Sequence, residues 1–162
     1  MARILLTGMS GTGKSSALAA LARRGYRVVD TDEGELSEWV PDPAGPGGGE
    51  WLWRERPMTQ LLAEPETGTL FVAGCVRNQG RFYDRFDAVV LLSAPPPVIL
   101  ERIATRTNND YGKAPEERRL IEEQLRAVEP LLRRGCSHEL DASRPLEQVV
   151  AELVTIAEGR VP

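Results

Sequence analysis

The sequence predicts a three-layer α/β/α fold built on a five-stranded parallel sheet. Strand-like and helix-like segments alternate along the chain, a pattern that is typical of α/β proteins. Residues 70–73 are apolar on both faces, as a central strand of a parallel sheet must be. A glycine-rich motif over residues 8–15 follows an apolar strand and precedes a helix, which is the usual place for a ligand-binding turn in such folds.

The first two strands and the first helix have clear boundaries. A strand over residues 3–7 leads into a helix over 13–24, and Gly25 ends that helix because glycine tolerates the left-handed conformation of a helix terminus. The second strand covers residues 27–30. Residues 41–49 are rich in proline and glycine, and we expect them to form a mobile loop without regular structure.

The rest of the chain continues the alternation. We predict a helix over residues 51–62 that is interrupted near Pro57, and further helices over 96–105, 115–133 and 146–158. The remaining strands are predicted over residues 70–73, 88–92 and 139–141. Right-handed crossovers would then assemble the strands into one parallel sheet with helices on both faces.

Residues 8–15 read Gly-Met-Ser-Gly-Thr-Gly-Lys-Ser, the complete pattern G-x-x-x-x-G-K-S. Its glycines let the backbone N–H groups point at phosphate oxygens, and the following helix adds the positive end of its dipole. Lys14 can reach the β- and γ-phosphates, and the Ser15 hydroxyl can ligate the Mg²⁺ that bridges them. The sequence therefore predicts a site for ATP and Mg²⁺. Its predicted nucleotide ligands are Gly8, Ser10, Gly11, Thr12, Gly13, Lys14, Ser15 and Ser16.

Asp30 and Asp32 follow the second strand at the edge of the sheet where α/β proteins bind ligands. A phosphotransferase uses one such carboxylate to hold the magnesium shell and another to orient or deprotonate the attacking hydroxyl. We predict that Asp30 joins Ser15 at the metal and that Asp32 contacts the acceptor, with either one acting as the base. The alternative is that this Asp-Thr-Asp-Glu stretch caps a helix.

Other classes of nucleotide-binding protein fit the sequence less well. The third strand ends in Ala73-Gly74-Cys75, without the aspartate that most P-loop hydrolases place there. The chain lacks an Asn-Lys-x-Asp guanine-reading motif, and its Asp-x-x-Gly at residues 42–45 lies in the proline-rich loop. These features argue against a switch GTPase.

The phosphate loop together with Asp30-Thr31-Asp32 resembles the shikimate and gluconate kinase branch of the P-loop kinases. Residues 101–106 resemble the Arg-x-x-x-Arg that opens the lid of adenylate-type kinases. The resemblance implies that Arg102 lies against adenine and that Arg106 reaches the phosphates during catalysis. A guanidinium group is planar enough for the first role and forked enough for the second. Alternatively, Arg102 pairs with a nearby glutamate on the helix surface.

The same resemblance divides the chain into functional parts. It implies one kinase domain over residues 1–162, with an acceptor-binding insertion at about 33–68 and a lid at about 106–114. Residues 141–145 resemble the loop that runs beside adenine, which would bring Arg144 to the nucleotide; Ser143 acting as a helix cap is the alternative.

The resemblance places the acceptor pocket between the second and third strands and just after the third. This region contains tryptophans beside arginines, which would suit an acceptor with a flat ring, although tryptophans are also common in cores. Predicted acceptor contacts are Asp32, Trp51, Arg54, Gly74, Arg77 and Asn78. The Gly-Gly-Gly expected of shikimate kinases after the third strand is replaced by Gly74-Cys75-Val76, which leaves a nucleoside, a nucleoside monophosphate or a shikimate-like polyol as candidates.

We therefore expect a kinase that moves the γ-phosphoryl group of ATP to a hydroxyl or phosphate of a small metabolite. The alternative is a nucleotide-gated ATP-binding protein with little or no turnover. The net charge of −4 and the scattered basic residues argue against a nucleic-acid partner. We expect a cytoplasmic protein without membrane association, because no leader and no bilayer-length apolar run is present. We expect it to be a monomer or a homodimer.

Overall fold

The computed structural model describes residues 2–65 and 67–159, and over these residues the chain forms seven strands and six α-helices. The strands are β1 (Arg3–Thr7), β2 (Arg27–Asp30), β3 (Ser37–Pro41), β4 (Gly49–Trp53), β5 (Leu70–Ala73), β6 (Ala88–Ser93) and β7 (His138–Asp141). The helices are α1 (Lys14–Arg23), α2 (Glu55–Ala63), α3 (Pro96–Thr105), α4 (Pro115–Ala127), α5 (Glu129–Gly135) and α6 (Leu146–Ala157). Short 3₁₀ helices cover Pro46–Gly48 and Gln79–Arg85. The predicted single domain also includes residues 1, 66 and 160–162, which lie outside the described residues.

The larger sheet has the strand order β2-β5-β1-β6-β7, and every pair in it is parallel. Its side chains alternate between two apolar layers, as the two-residue period of a strand requires. One layer packs Ile4, Leu6 and Phe71 against α1 and α6. The opposite layer packs Leu5 and Val72 against α2 and the Gln79–Arg85 segment, and continues under α3 to α5. This arrangement confirms the predicted three-layer fold with a five-stranded parallel sheet.

The bounds of most elements agree with the prediction. β1, β2, β5 and α3 begin and end at the predicted residues. The ends of α1, β6, β7 and α6 differ from the prediction by one residue at most. Gly25 has a φ of 89°, which is the left-handed conformation predicted for the residue that ends α1.

The prediction for residues 37–62 was wrong in part. β3 and β4 form an antiparallel hairpin, in which Trp39 lies opposite Trp51. The proline-rich and glycine-rich stretch is the connection of this hairpin, and it contains the 3₁₀ turn Pro46–Gly48. Residues 51–53 are therefore a strand and not the start of a helix. α2 begins only at Glu55, which puts Pro57 in its first turn, where its missing N–H has no helical partner to lose.

The predicted single helix over residues 115–133 is two helices, α4 and α5, which meet at Val128. A continuous helix would place Pro130 in its interior, where the ring clashes with the carbonyl four residues earlier. The break instead puts Pro130 in the first turn of α5. The last turn before the break carries Val128, whose N–H donates to the carbonyl of Gln124 at 2.7 Å.

Candidate active site

The phosphate loop connects β1 to α1 at the carboxyl edge of the sheet. Gly8, Gly11 and Gly13 all have positive φ values, of 152°, 84° and 94°. At Gly11 a side chain is also excluded by space, because a Cβ there would lie 2.9 Å from the side chain of Ile103 on α3. Among the described residues, no side chain caps the N-terminus of α1, so its first amides point into the loop.

Lys14 lies at the centre of the loop and is half-buried. Its ammonium group donates hydrogen bonds to the carbonyls of Gly8 and, at 3.1 Å, Met9. Burial lowers the pKa of Lys14, while interactions with Cys75, Asp32 and Asp30 oppose that shift. The lysine of the phosphate loop is therefore in the electrostatic range of both acidic residues that follow β2.

The other loop side chains have different surroundings. Thr12 is buried, and its hydroxyl donates to the carbonyl of Met9 at 2.8 Å, which stabilises the loop itself. Ser15 and Ser16 lie exposed in the first turn of α1. The Ser10 hydroxyl lies 3.5 Å from the guanidinium group of Arg106.

Asp30 and Asp32 lie across the sheet from the phosphate loop. Asp30 pairs with Ala73 on β5, and Ala73 pairs with Leu6 on β1, so one row of residues joins the two sites. Two strand spacings separate the ends of this row, roughly 10 Å. β5, the strand between them, ends in Ala73 and Gly74, so no bulky or charged side chain of that strand fills the gap.

The two carboxylates have distinct environments. Asp30 accepts a hydrogen bond from the backbone N–H of Asp32 at 2.9 Å. Partial burial raises the pKa of Asp32, the nearby charge of Asp30 raises it further, and Lys14 acts in the opposite direction. Residues 31–36 contain no helix, so the alternative that this stretch caps a helix does not apply.

Thr31 anchors the acidic turn, and the sequence analysis did not single it out. Its side chain is fully buried. The hydroxyl donates to the carbonyl of Ala73 at 2.9 Å and accepts a 2.9 Å hydrogen bond from the indole Nε1 of Trp53. Its backbone N–H donates to the same Ala73 carbonyl at 3.0 Å. Thr31 thus fixes the flanking aspartates to the end of β5. The signal in the sequence was a threonine between two strand-end aspartates.

Arg102, on α3, and Arg106, directly after α3, reach different loops. Arg106 donates to the carbonyls of Asn109 at 3.0 Å and Tyr111 at 2.5 Å, in addition to facing Ser10. Arg102 donates to the carbonyl of Ala142 at 2.6 Å, in the loop after β7. Its observed partner is therefore a backbone carbonyl rather than a glutamate. Arg106 holds the predicted lid segment against the phosphate loop.

Arg144 is positioned by α6. Its guanidinium group forms a 2.7 Å ion pair with Glu152, and its Nε donates to the carbonyl of Asp141 at 3.3 Å. The Ser143 hydroxyl bonds to the carboxylate of Asp141, so Ser143 stabilises the turn after β7. A contact between Arg144 and the nucleotide stays a prediction.

The predicted acceptor residues gather around the hairpin. Asn78 exchanges two 3.0 Å hydrogen bonds with the backbone of Trp53. Arg77 forms an ion pair with Glu50 on β4. Arg54 donates to the carbonyl of Glu35 at 3.0 Å.

Two of the predicted acceptor residues differ sharply in exposure. Trp51 is 57% exposed on the hairpin surface. Gly74 is buried, and a Cβ at this position would collide with the Thr31 hydroxyl and lie 2.9 Å from the ring of Trp53. The missing side chain of Gly74 therefore makes room for Trp53, and contact of Gly74 with an acceptor stays a prediction.

A further anchor is Gln79, whose buried amide joins three segments. Its Nε2 donates to the hydroxyls of Thr7 at 2.9 Å and Tyr83 at 2.8 Å, and its oxygen accepts from the N–H of Val76. These bonds hold the loop after β5 beside the end of β1, next to the phosphate loop.

Comparison with known proteins identifies the family of this chain. A family model described as an AAA domain matches residues 4–125. The chain belongs to this family. A comparison with curated protein sequences finds no match.

Solved structures show what the fold resembles. Shikimate kinase from Acinetobacter baumannii, in complex with shikimate, superposes with a TM-score of 0.67 at 16% identity, covering 98% of this chain and 94% of that one. Shikimate kinase from Bacteroides thetaiotaomicron gives 0.67 at 23% identity, covering 97% and 98%. A gluconokinase from Sinorhizobium meliloti 1021 gives 0.59 at 22% identity, covering 98% and 94%. The chain therefore has the fold of small-molecule P-loop kinases.

The donor set of the site suits Mg²⁺. The Ser15 hydroxyl and the Asp30 carboxylate supply the oxygen atoms that this hard cation prefers. Within residues 2–65 and 67–159, no group of three or more His, Cys, Asp or Glu side chains forms a metal cluster. In that part of the chain, every helix is too short or too polar to cross a bilayer.

Proposed function

We propose that the protein is an ATP-dependent kinase that phosphorylates a hydroxyl or phosphate group of a small metabolite. One observation carries the proposal: the phosphate loop and the Asp30–Thr31–Asp32 turn face each other across the end of β5, which contributes only Ala73 and Gly74 there. We place the acceptor between the γ-phosphate and a carboxylate, outside the space at Gly74 that the Trp53 ring already fills. The family and the kinase-like fold support the same function.

The residues of the loop bind the nucleotide. The amides of the loop and of the first turn of α1 hold the phosphates, and Lys14 neutralises the charge that develops on the transferred group. Lys14 must leave the carbonyls of Gly8 and Met9 to do so. Ser15 and Asp30 would hold Mg²⁺, which would supply positive charge that offsets the charge of the phosphates.

Asp32 acts on the acceptor. Its carboxylate accepts the proton of the acceptor hydroxyl, whose oxygen forms a bond to the γ-phosphorus. The bond from that phosphorus to the β,γ-bridging oxygen breaks, and ADP leaves with the electron pair. The raised pKa of Asp32 makes it a better proton acceptor than an ordinary surface carboxylate.

Arg102, on α3, and Arg106, directly after it, contribute to nucleotide binding and closure. Arg102 lies beside the loop after β7, where its planar group can stack on the purine. Arg106 joins the segment over residues 107–113 to the phosphate loop. When this segment covers the nucleotide it excludes water, so that the acceptor and not water receives the phosphoryl group.

The test is acceptor-dependent ADP release with Mg²⁺ and ATP, measured against sugars, polyols, nucleosides and nucleoside monophosphates. We expect at least one acceptor to stimulate release, and Lys14→Ala to abolish it without unfolding the chain. Arg23→Ala, at the far end of the same helix, is the matched control and should retain full activity. ATP binding without stimulation by any acceptor would instead support a nucleotide-gated binding protein. Undiminished turnover by Lys14→Ala would refute the assignment of the loop.

A further inference from the structure

The hairpin presents one face without charge. Because the side-chain period of a strand is two and Trp39 lies opposite Trp51, alternate residues of both strands share a face. That face, the tryptophan face, consists of Ser37, Trp39, Pro41, Gly49, Trp51 and Trp53. The acidic residues of the two strands, Glu38 and Glu50, belong to the opposite face.

The base of the tryptophan face is bonded to the acidic turn. The Ser37 hydroxyl donates to the carbonyl of Thr31 at 2.7 Å, and the Trp53 indole donates to the Thr31 hydroxyl. Both contacts lie on the residue between Asp30 and Asp32. The tryptophan face therefore starts at the carboxylates of the proposed acceptor site and continues outward from them.

Trp39 and Trp51 extend this face into solvent. Their exposed fractions are 45% and 57%, and their rings meet edge to face at 5.8 Å. Trp39 is held in place from below, because its ring crosses Gly49 so closely that a Cβ there would lie 2.7 Å from it. Two positioned aromatic rings, on a hairpin face whose own residues are all uncharged, form a surface that matches a flat, uncharged group.

We infer that the phosphoryl acceptor carries an aromatic heterocycle, as nucleosides do, and that this ring packs on Trp39 and Trp51 while an attached hydroxyl reaches Asp32. This inference rests on the proposed kinase function and adds the class of acceptor. The Cα atoms of residues 51 and 53 are two strand positions apart, roughly 7 Å, which a ring joined through a sugar to a hydroxyl can span. The tryptophan face has no lysine or arginine of its own that could pair with the carboxylate of a carboxylated polyol.

The test compares adenosine, guanosine, cytidine and thymidine with shikimate and gluconate. Binding is observed directly by the indole N–H resonances of ¹⁵N-labelled protein in the presence of Mg²⁺ and an unreactive ATP analogue. Trp39→Phe and Trp51→Phe assign the two exposed indoles. We expect at least one nucleoside to shift both resonances and to be phosphorylated, with smaller shifts from the polyols.

The double variant Trp39→Ala/Trp51→Ala then separates the inference from the function. We expect it to raise the KM for the active nucleoside at least tenfold and to leave the Kd for ATP within twofold. Leu131→Ala, which truncates a 58% exposed residue on α5, is the matched control and should leave both constants unchanged. Failure of all four nucleosides to shift either indole, or phosphorylation of the polyols alone, would overturn the inference. Neither result would affect the kinase assignment, which is tested separately by acceptor-dependent ADP release and its loss in Lys14→Ala.

Discussion

The indole of Trp53 donates a 2.9 Å hydrogen bond to the hydroxyl of Thr31, and through this bond the hairpin and the acidic turn become one unit. The two residues are 22 positions apart in the chain, and both are buried. Thr31 in turn donates to the carbonyl of Ala73 at the end of β5. The position of Asp30 and Asp32 thus depends on an aromatic residue of the predicted acceptor-binding segment.

Thr31→Val tests this relationship. Valine keeps the volume of the side chain but leaves the indole N–H of Trp53 without its buried acceptor. We expect a loss of about 1–3 kcal/mol in the free energy of unfolding, measured by urea denaturation, and a lower kcat. Thr155→Val on α6 removes a hydroxyl that bonds only to its own helix, at Ala151, and should change stability little. Equal stability of the two variants would contradict the anchoring role.

Gly74→Ala tests the packing beneath the acidic turn. The added methyl group would collide with the Thr31 hydroxyl and the Trp53 ring, so we expect destabilisation of about 1–3 kcal/mol. Gly80→Ala is the matched control, because a Cβ there meets nothing within 4 Å. It should be neutral or slightly stabilising, since alanine reduces the entropy of the unfolded chain. Thermal unfolding of both variants checks the difference, and a stable Gly74→Ala protein would contradict the packing.

The pH dependence of turnover follows from Asp32. Its pKa is raised by partial burial and by the charge of Asp30, and the proposed mechanism requires its deprotonated form. Activity is therefore lost as the pH falls through this raised pKa. In Asp30→Asn one source of the shift is removed, so the acidic limb of the kcat profile should move to lower pH, together with a lower maximum if Asp30 holds the metal. Asp84→Asn, at an exposed position of the Gln79–Arg85 segment, should leave the limb unchanged. An acidic limb that stays in place in Asp30→Asn would contradict the contribution of Asp30 to the raised pKa of Asp32.

The same shift has a consequence for stability. A carboxyl group whose pKa is raised on folding stabilises the fold below its unfolded pKa, and this contribution is lost as the pH rises through the folded value. At neutral pH the charged Asp32 is thus unfavourable for folding. We expect Asp32→Asn to raise Tm at pH 7 while removing turnover, and the gain in Tm over the wild type to shrink at acidic pH. Circular dichroism melts at several pH values check this; a lower Tm at pH 7 would contradict it.

Arg106 links the lid to the phosphate loop. Its guanidinium group contacts carbonyls at Asn109 and Tyr111 and the hydroxyl of Ser10, so Arg106→Ala should free residues 107–113. We expect faster amide hydrogen exchange in this segment and a loss of about 100-fold in kcat, as for removal of one group that stabilises a transition state. Arg118→Ala, which removes an exposed ion pair with Glu122 on α4, should affect neither. Unchanged exchange in Arg106→Ala would show that the segment is held by other contacts.

Local patterns predicted the phosphate loop and the sheet, because their signals lie within a few residues of each other. Each of three short stretches predicts its own structure without reference to distant residues: the motif over residues 8–15, the aspartates at the end of β2, and the apolar strand 70–73. α3 was predicted at both ends because Pro96 and the polar stretch after Thr105 mark its limits.

The hairpin was missed because its evidence is not local. Residues 51–53 form a strand because they pair with β3, where Trp39 lies opposite Trp51. The two strands of this pair are separated in the sequence by the proline-rich connection. The anchoring roles of Thr31 and Gln79 also depend on partners distant in sequence. Contact of Arg77 and Asn78 with an acceptor stays a prediction. Their observed partners are on the hairpin, an element that the sequence analysis did not predict.

The contact between Gly11 and Ile103 constrains how nucleotide exchange can occur. Ile103 lies on α3, one residue after Arg102, and fills the space into which any larger residue at position 11 would project. α3 and the phosphate loop are therefore packed directly against each other. If the chain turns over ATP as proposed, we expect the opening that releases ADP to take place after the carboxyl end of α3, at the segment that begins with Arg106.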